Sequence, residues 1–263
     1  MAKEKKIISA STGKETTGGK TVIKAKPSGS SAGYRVGAVL LWIAAIALEV
    51  LALLVFLDKI NLKFIPQLWQ IIIFLVLDLA CVIIGSLLWK KANHINPASK
   101  KNAFLFWLWN NMGVVVCAFA FVPFIIVALT DKKADKKTKA IATVVAVIAL
   151  LIGGLASYEW NPISAEEKQS AVNAIEGEVY WTQFGRKYHT ADDCGALANS
   201  ETLYKGSVEE AISSGKTDLC AFCAKRDNIT GVRVDGEGSG LAPETSSENG
   251  GEKSEEKSEE DAA

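Results

Sequence analysis

The chain has 263 residues, 29 basic and 29 acidic, so it carries no net formal charge, and 49% of it is hydrophobic. That balance excludes overall charge as a guide to partners, because it hides segregation: a lysine-rich start, an apolar middle and an acidic end.

Residues 1–33 are rich in Lys, Gly, Ser and Thr. With few apolar side chains they cannot offset their ordering entropy, and a disordered arm is expected. Four apolar runs follow. Residues 37–57 carry Glu49 as their only charge and residues 67–89 carry Asp78, while 103–129 and 140–157 carry none. A span needs about 20 apolar residues at 1.5 Å rise each. Buried helices of a water-soluble core keep a polar stripe, and these runs lack one. Trp42, Trp69, Trp89, Trp107, Trp109, Tyr158 and Trp160 mostly fall near run ends, as interfacial aromatics do. The first run is too long, and its polar arm too extended, for a cleaved signal peptide. Residues 34–157 therefore read as a four-helix membrane domain with antiparallel neighbours, joined at 58–66, 90–102 and 130–139.

Glu49 and Asp78 lie near the centres of adjacent spans. A carboxylate there costs about 2.5–3.5 kcal/mol on insertion scales, which makes both of them candidate functional groups. Two readings stay open: a hydrogen-bonded packing pair, or the polar elements of a small transporter or channel-like unit. Cys81 shares a helical face with Asp78, which is too little for a metal site. Asn110 and Asn111 are expected to donate hydrogen bonds between helices.

Beyond Pro162 the composition becomes that of a small domain, residues 163–230, before an acidic tail at 231–263 that is expected to be solvated and disordered. "ISAEEKQSAVNAIEG" predicts a helix capped by Ser164, with Glu167 completing a capping box. "EVYWTQFGRKYH" predicts two strands around Gly185. "SVEEAISSG" predicts a helix between Ser207 and Gly215. A unit this small sits near the limit for an unaided core and calls for a staple.

The staple is visible as His189-x4-Cys194-x25-Cys220-x2-Cys223. Two short ligand pairs separated by a long loop is the form of a structural zinc site, and thiolates with an imidazole suit Zn²⁺. A redox pair, Cys220 with Cys223, is the competing reading. Against it, no βαβ unit is evident and "CAFC" follows a helix where a redox motif would open one. A disulfide framework would strand one of the three cysteines.

"VEEAISSGKTDLCAFC", with the spacing from His189 to Cys223, resembles the Ada-type zinc-binding module over roughly residues 179–226. In that family four cysteines hold the metal and the first accepts a methyl group from DNA phosphate. Here His189 stands at that position. The resemblance therefore implies a small α/β zinc fold without the repair chemistry. Similar short modules accompany many bacterial membrane and secreted proteins. Arg186, Lys187, Lys205, Lys216, Lys225 and Arg226 are offset by neighbouring acids, so nucleic acid is not an expected partner.

The combined expectation is a multi-pass α-helical membrane protein with four transmembrane helices and a small C-terminal α/β zinc-binding domain. The lysine arm and the even span count favour both termini in the cytoplasm. Expected partners are the lipid bilayer and a protein that meets the zinc module, which serves as an interaction or regulatory element more readily than as an enzyme. The alternatives are transport through Glu49 and Asp78, or membrane-tethered thiol chemistry at Cys220 and Cys223.

Overall fold

The computed structural model of the protein describes residues 6–8, 15–17, 21–25 and 29–234. The remainder of the arm and the acidic tail from residue 235 lie outside the described residues. The four long helices are α1 (Ser31–Phe56), α2 (Gln67–Ile95), α4 (Met112–Thr130) and α5 (Lys136–Ser157), each long and apolar enough to cross a membrane. A short helix, α3 (Ala103–Asn110), precedes α4.

The bundle turns inward its small and aromatic residues. Ala45, Ala52, Ala120, Ala142 and Ala146 pack with Leu75, Phe121 and Phe124, all buried. Its outward faces expose Leu40, Ile73, Phe119, Ile148 and Leu155. An exposed apolar surface of this extent is what hydrocarbon, and not water, accepts. Small residues let the backbones approach closely: a Cβ on Gly153 would stand 2.7 Å from the Cys117 sulfur, and one on Gly85 2.7 Å from the Trp42 ring.

Polar side chains within the bundle finish its loops. Gln70 is buried, accepts from the Leu62 amide at 3.0 Å and donates to Asn61 Oδ1 at 2.9 Å, closing the α1–α2 connection. The run at 103–129 forms two helices, where a single span was expected. Asn102 caps α3 through the Leu105 amide at 3.0 Å, and the chain breaks at Asn111. The amides of Asn110 and Asn111 donate within their own helix, to the carbonyls of Phe106 and Trp107. Between elements these side chains act as acceptors: Asn93 donates to Asn110 at 3.4 Å, and the Glu159 backbone donates to Asn111 at 3.0 Å.

Beyond the bundle lies the α/β module. Its helices are α6 (Ala165–Ala174), α7 (Val208–Ser213) and α8 (Ala221–Arg226). Its strands are β4 (Val179–Trp181), β5 (Lys187–His189), β6 (Thr202–Gly206) and β7 (Asp218–Leu219). The expected capping box of Ser164 with Glu167 forms, and Ser207, expected as an N-cap, does cap α7 and forms a second box with Glu210. Gly215 ends α7 at φ +81°, a backbone conformation that glycine adopts without strain. The core joins Val179, Trp181, Tyr188, Leu203, Ile212 and Leu219.

Described residues of the arm form strands where disorder was expected. Strand β3 (Thr21–Lys24) pairs in parallel with β6 and forms one edge of the sheet, whose order is β3-β6-β4-β5-β7. Upstream, β1 (Lys6–Ile8) pairs antiparallel with β2 (Glu15–Thr17). What orders β3 is the row of backbone groups that β6 leaves open on that side, together with burial of Val22 in the module core. This pairing puts the arm and the module on one side of the bundle. The module also extends past residue 230: Val232 is buried, Arg233 forms a 2.7 Å ion pair with Asp218, and Val234 bridges to Leu219.

Candidate metal centre

Four separate pieces of backbone deliver the His/Cys set. His189 ends β5, held there by β4 on one side and β7 on the other. Cys194 precedes the 3-10 turn Gly195–Leu197. Cys220 follows β7, and its amide bonds the Tyr188 carbonyl at 3.0 Å, so parallel pairing places it beside His189. Cys223 lies in the first turn of α8. All four are buried, and one donor atom from each lies within 4.8 Å of all the others. The Cys194 and Cys220 sulfurs are 4.0 Å apart, and the Cys223 sulfur is 3.9 Å from His189 Nδ1.

Those separations fit one tetrahedral ion. Sulfurs about 2.3 Å from zinc stand about 3.8 Å from one another, and a sulfur and an imidazole nitrogen about 3.6 Å. The four residues expected to act together are thus brought together, and the group could hold a metal. Burial pushes the Cys194 thiol up to about 11, and the Ala196 N–H opposes that rise. A cation in the pocket replaces the protons of such a set. Arg226 braces the rim, with Nη2 donating to Thr190 Oγ1 at 2.8 Å and Nε to Asp227 Oδ1 at 2.7 Å. Its guanidinium and the Thr190 hydroxyl hold the Asp227 carboxyl down to about 2.

A helix start, expected to be absent at "CAFC", is present. Cys220 is the N-cap of α8, so "CAFC" does open a helix. The start of a helix is where redox motifs place their cysteines. What separates this site from a redox pair is its company: His189 and Cys194 lie within ligand distance, and Cys220 and Cys223 are 2% and 1% exposed.

The intramembrane acids meet a different environment. Glu49 Oε1 accepts from the Phe124 amide at 3.0 Å, immediately after Pro123 inside α4. Proline disrupts the helical bonds around it, and Glu49 satisfies an amide at that point. Its Oε2 and both Asp78 oxygens are buried without a hydrogen-bond partner. Glu49 therefore has a hydrogen-bond partner on α4, while the buried Asp78 oxygens have none among the described residues.

Sequence reasoning missed the polar seam between the bundle and the module. Lys91 donates to the Ser213 carbonyl at 2.6 Å and Lys168 to the Ile95 carbonyl at 2.6 Å. Asn161 bonds Thr217 and Arg233, and Glu166 meets the Ser99 hydroxyl and the Lys100 amide. Nothing in the sequence sets Lys91 or Lys168 apart from solvated lysines. Comparison of the chain with protein-family models, curated proteins and solved structures returns no match.

Proposed function

We propose that this is a multi-pass protein of the cell membrane whose extramembrane module is stapled by one structural Zn²⁺ on His189, Cys194, Cys220 and Cys223. In this reading the module is an interaction or regulatory element, both termini are cytoplasmic, and the fold is of the Ada-type zinc class. The observation that carries it is the donor set: four buried side chains whose ligand atoms lie within 4.8 Å of one another, enough to close a tetrahedron around one ion with no position left for substrate. A reducing compartment keeps such cysteines available to metal. The pairing of β3 with β6 supports termini on a shared side.

The thiol-oxidoreductase reading keeps one specific support, the Cys220 position at the start of α8. Metal analysis of the full chain, purified in detergent under reducing conditions, separates the two. One zinc per chain, lost in Cys220→Ser, is expected. A metal-free chain whose Cys220 and Cys223 cycle between dithiol and disulfide would replace this reading with the redox one.

A further inference from the structure

The turn between β4 and β5 displays an aromatic ring that the fold does not use. Phe184 is 91% exposed, beside the exposed Arg186. The turn itself is firmly shaped. The Lys216 ammonium donates to the carbonyls of Gln183 at 2.8 Å and Gly185 at 2.6 Å, on either side of the ring. The Gly185 amide donates to Thr182 Oγ1 at 3.1 Å. Phe184 is thus held out into its surroundings by a closed loop and is no frayed end.

A short series of contacts relates this turn to the ends of the membrane helices. The Arg186 carbonyl accepts from the Thr217 amide at 3.0 Å. Thr217 Oγ1 meets the Asn161 side chain, four positions past Ser157, the last residue of α5. From α2, Lys91 reaches the Ser213 carbonyl, three positions before Lys216. Between these anchors Tyr158 and Trp160 pack edge to face at 4.8 Å, with Trp160 61% exposed, an aromatic pair at a span end. These contacts tie the turn to the ends of α2 and α5.

We propose that Phe184 and Arg186 seat this turn in the headgroup layer of the bilayer that the protein's own helices cross, so that the partner of this surface is lipid bearing anionic phosphate. Aromatic rings settle at the headgroup level, where a flat apolar body meets a polar layer. A guanidinium pairs with phosphate through parallel hydrogen bonds. The seam of Lys91, Lys168, Asn161 and Glu166 fixes the module to the helix ends, and the turn adds a further point of attachment, to lipid.

The test uses the full chain, metal-loaded, in nanodiscs, with a fluorinated phenylalanine at position 184 observed by fluorine NMR. Lipid carrying a nitroxide just below the headgroup should broaden the signal several-fold more than a water-borne paramagnetic chelate, as for a ring about 5–10 Å into the interface. The effect should weaken when phosphatidylglycerol is replaced by phosphatidylcholine, and again in Arg186→Glu. A resonance relaxed by the aqueous chelate and indifferent to the lipid label would overturn the proposal and mark the turn as a surface for a protein partner. Zinc content, measured in the same samples, keeps this outcome separate from loss of the module's fold.

Discussion

The Lys91 ammonium, at the end of the second membrane helix, lies 2.6 Å from the Ser213 carbonyl, the last residue of α7 in the module. A cation at a helix C-terminus meets unpaired carbonyls and the negative end of the helix dipole, so this contact docks the module through backbone that no substitution at Ser213 alters. Lys91→Met keeps the apolar stem and removes the charge. A hydrogen bond to a charged group contributes about 1.5–3 kcal/mol, so local opening of α7 should accelerate about tenfold to a hundredfold. Amide exchange across 208–216 in detergent checks this. Unchanged exchange there would mean that the seam is held by Asn161, Lys168 and Glu166 alone.

Metal removal should unfold the module and spare the bundle. Structural zinc contributes on the order of 10 kcal/mol in small domains, more than a core of this size supplies unaided. Chelation of the full chain should abolish protection of β4 to β7 in one cooperative step, while exchange within α1, α2, α4 and α5 stays slow. Cys220→Ser should reproduce the effect without chelator. Retention of strand protection in the metal-free chain would argue that the buried core and the β3 pairing suffice.

Glu49 and Asp78 should respond differently to substitution. Glu49→Gln preserves an oxygen for the Phe124 amide and should leave thermal unfolding in detergent nearly unchanged. Glu49→Leu strands that amide beside Pro123 and should cost about 1–3 kcal/mol. Asp78→Asn, at a group with no hydrogen bond to lose, should be neutral for stability. Abolition of ion flux in proteoliposomes by either Glu49→Gln or Asp78→Asn, with folding intact, would instead assign the pair to transport.

The seam also predicts a pH dependence. Hydrogen bonds from the Ser99 hydroxyl and the Lys100 amide hold the Glu166 carboxyl down to about 2, from an ordinary 4.5. A depressed carboxyl contributes its stabilisation in full above the ordinary value, and that contribution is lost as pH falls through the depressed one. Glu166→Gln should therefore loosen residues 98–101 relative to the native chain at pH 7. The difference between the two chains should shrink between pH 4.5 and about 2. Comparing the two at each pH cancels the loss of metal that acid causes in both. A difference independent of pH would exclude the carboxylate as its source.

What the sequence made legible was local or chemical. Ser164 with Glu167 announces a helix start because both halves of the box lie within one turn, and Ser207 announces another as an N-cap. The four candidate metal ligands are legible because few other residues could fill that role, and two of them sit three positions apart. Strand β3 was not legible: it is only Thr21–Lys24, and its partner stands far along the chain in a parallel pairing with no turn to mark it. The start of α8 was missed because its N-cap is Cys220, which makes no side-chain capping bond, so none of the usual cap residues signals it. The break before α4 hid in an apolar run whose only polar mark was Asn110–Asn111.

The β3–β6 pairing ties a segment before the first membrane helix to one after the last, and that has a consequence for biogenesis. At about 5–20 residues per second, Thr21 waits roughly 10–40 s for Thr202 to leave the ribosome. During that interval all four hydrophobic segments must enter the bilayer. Were an odd number to insert, the two strands would emerge in different compartments and could not meet. Completion of this sheet is therefore a parity check on membrane insertion, built into the folded product.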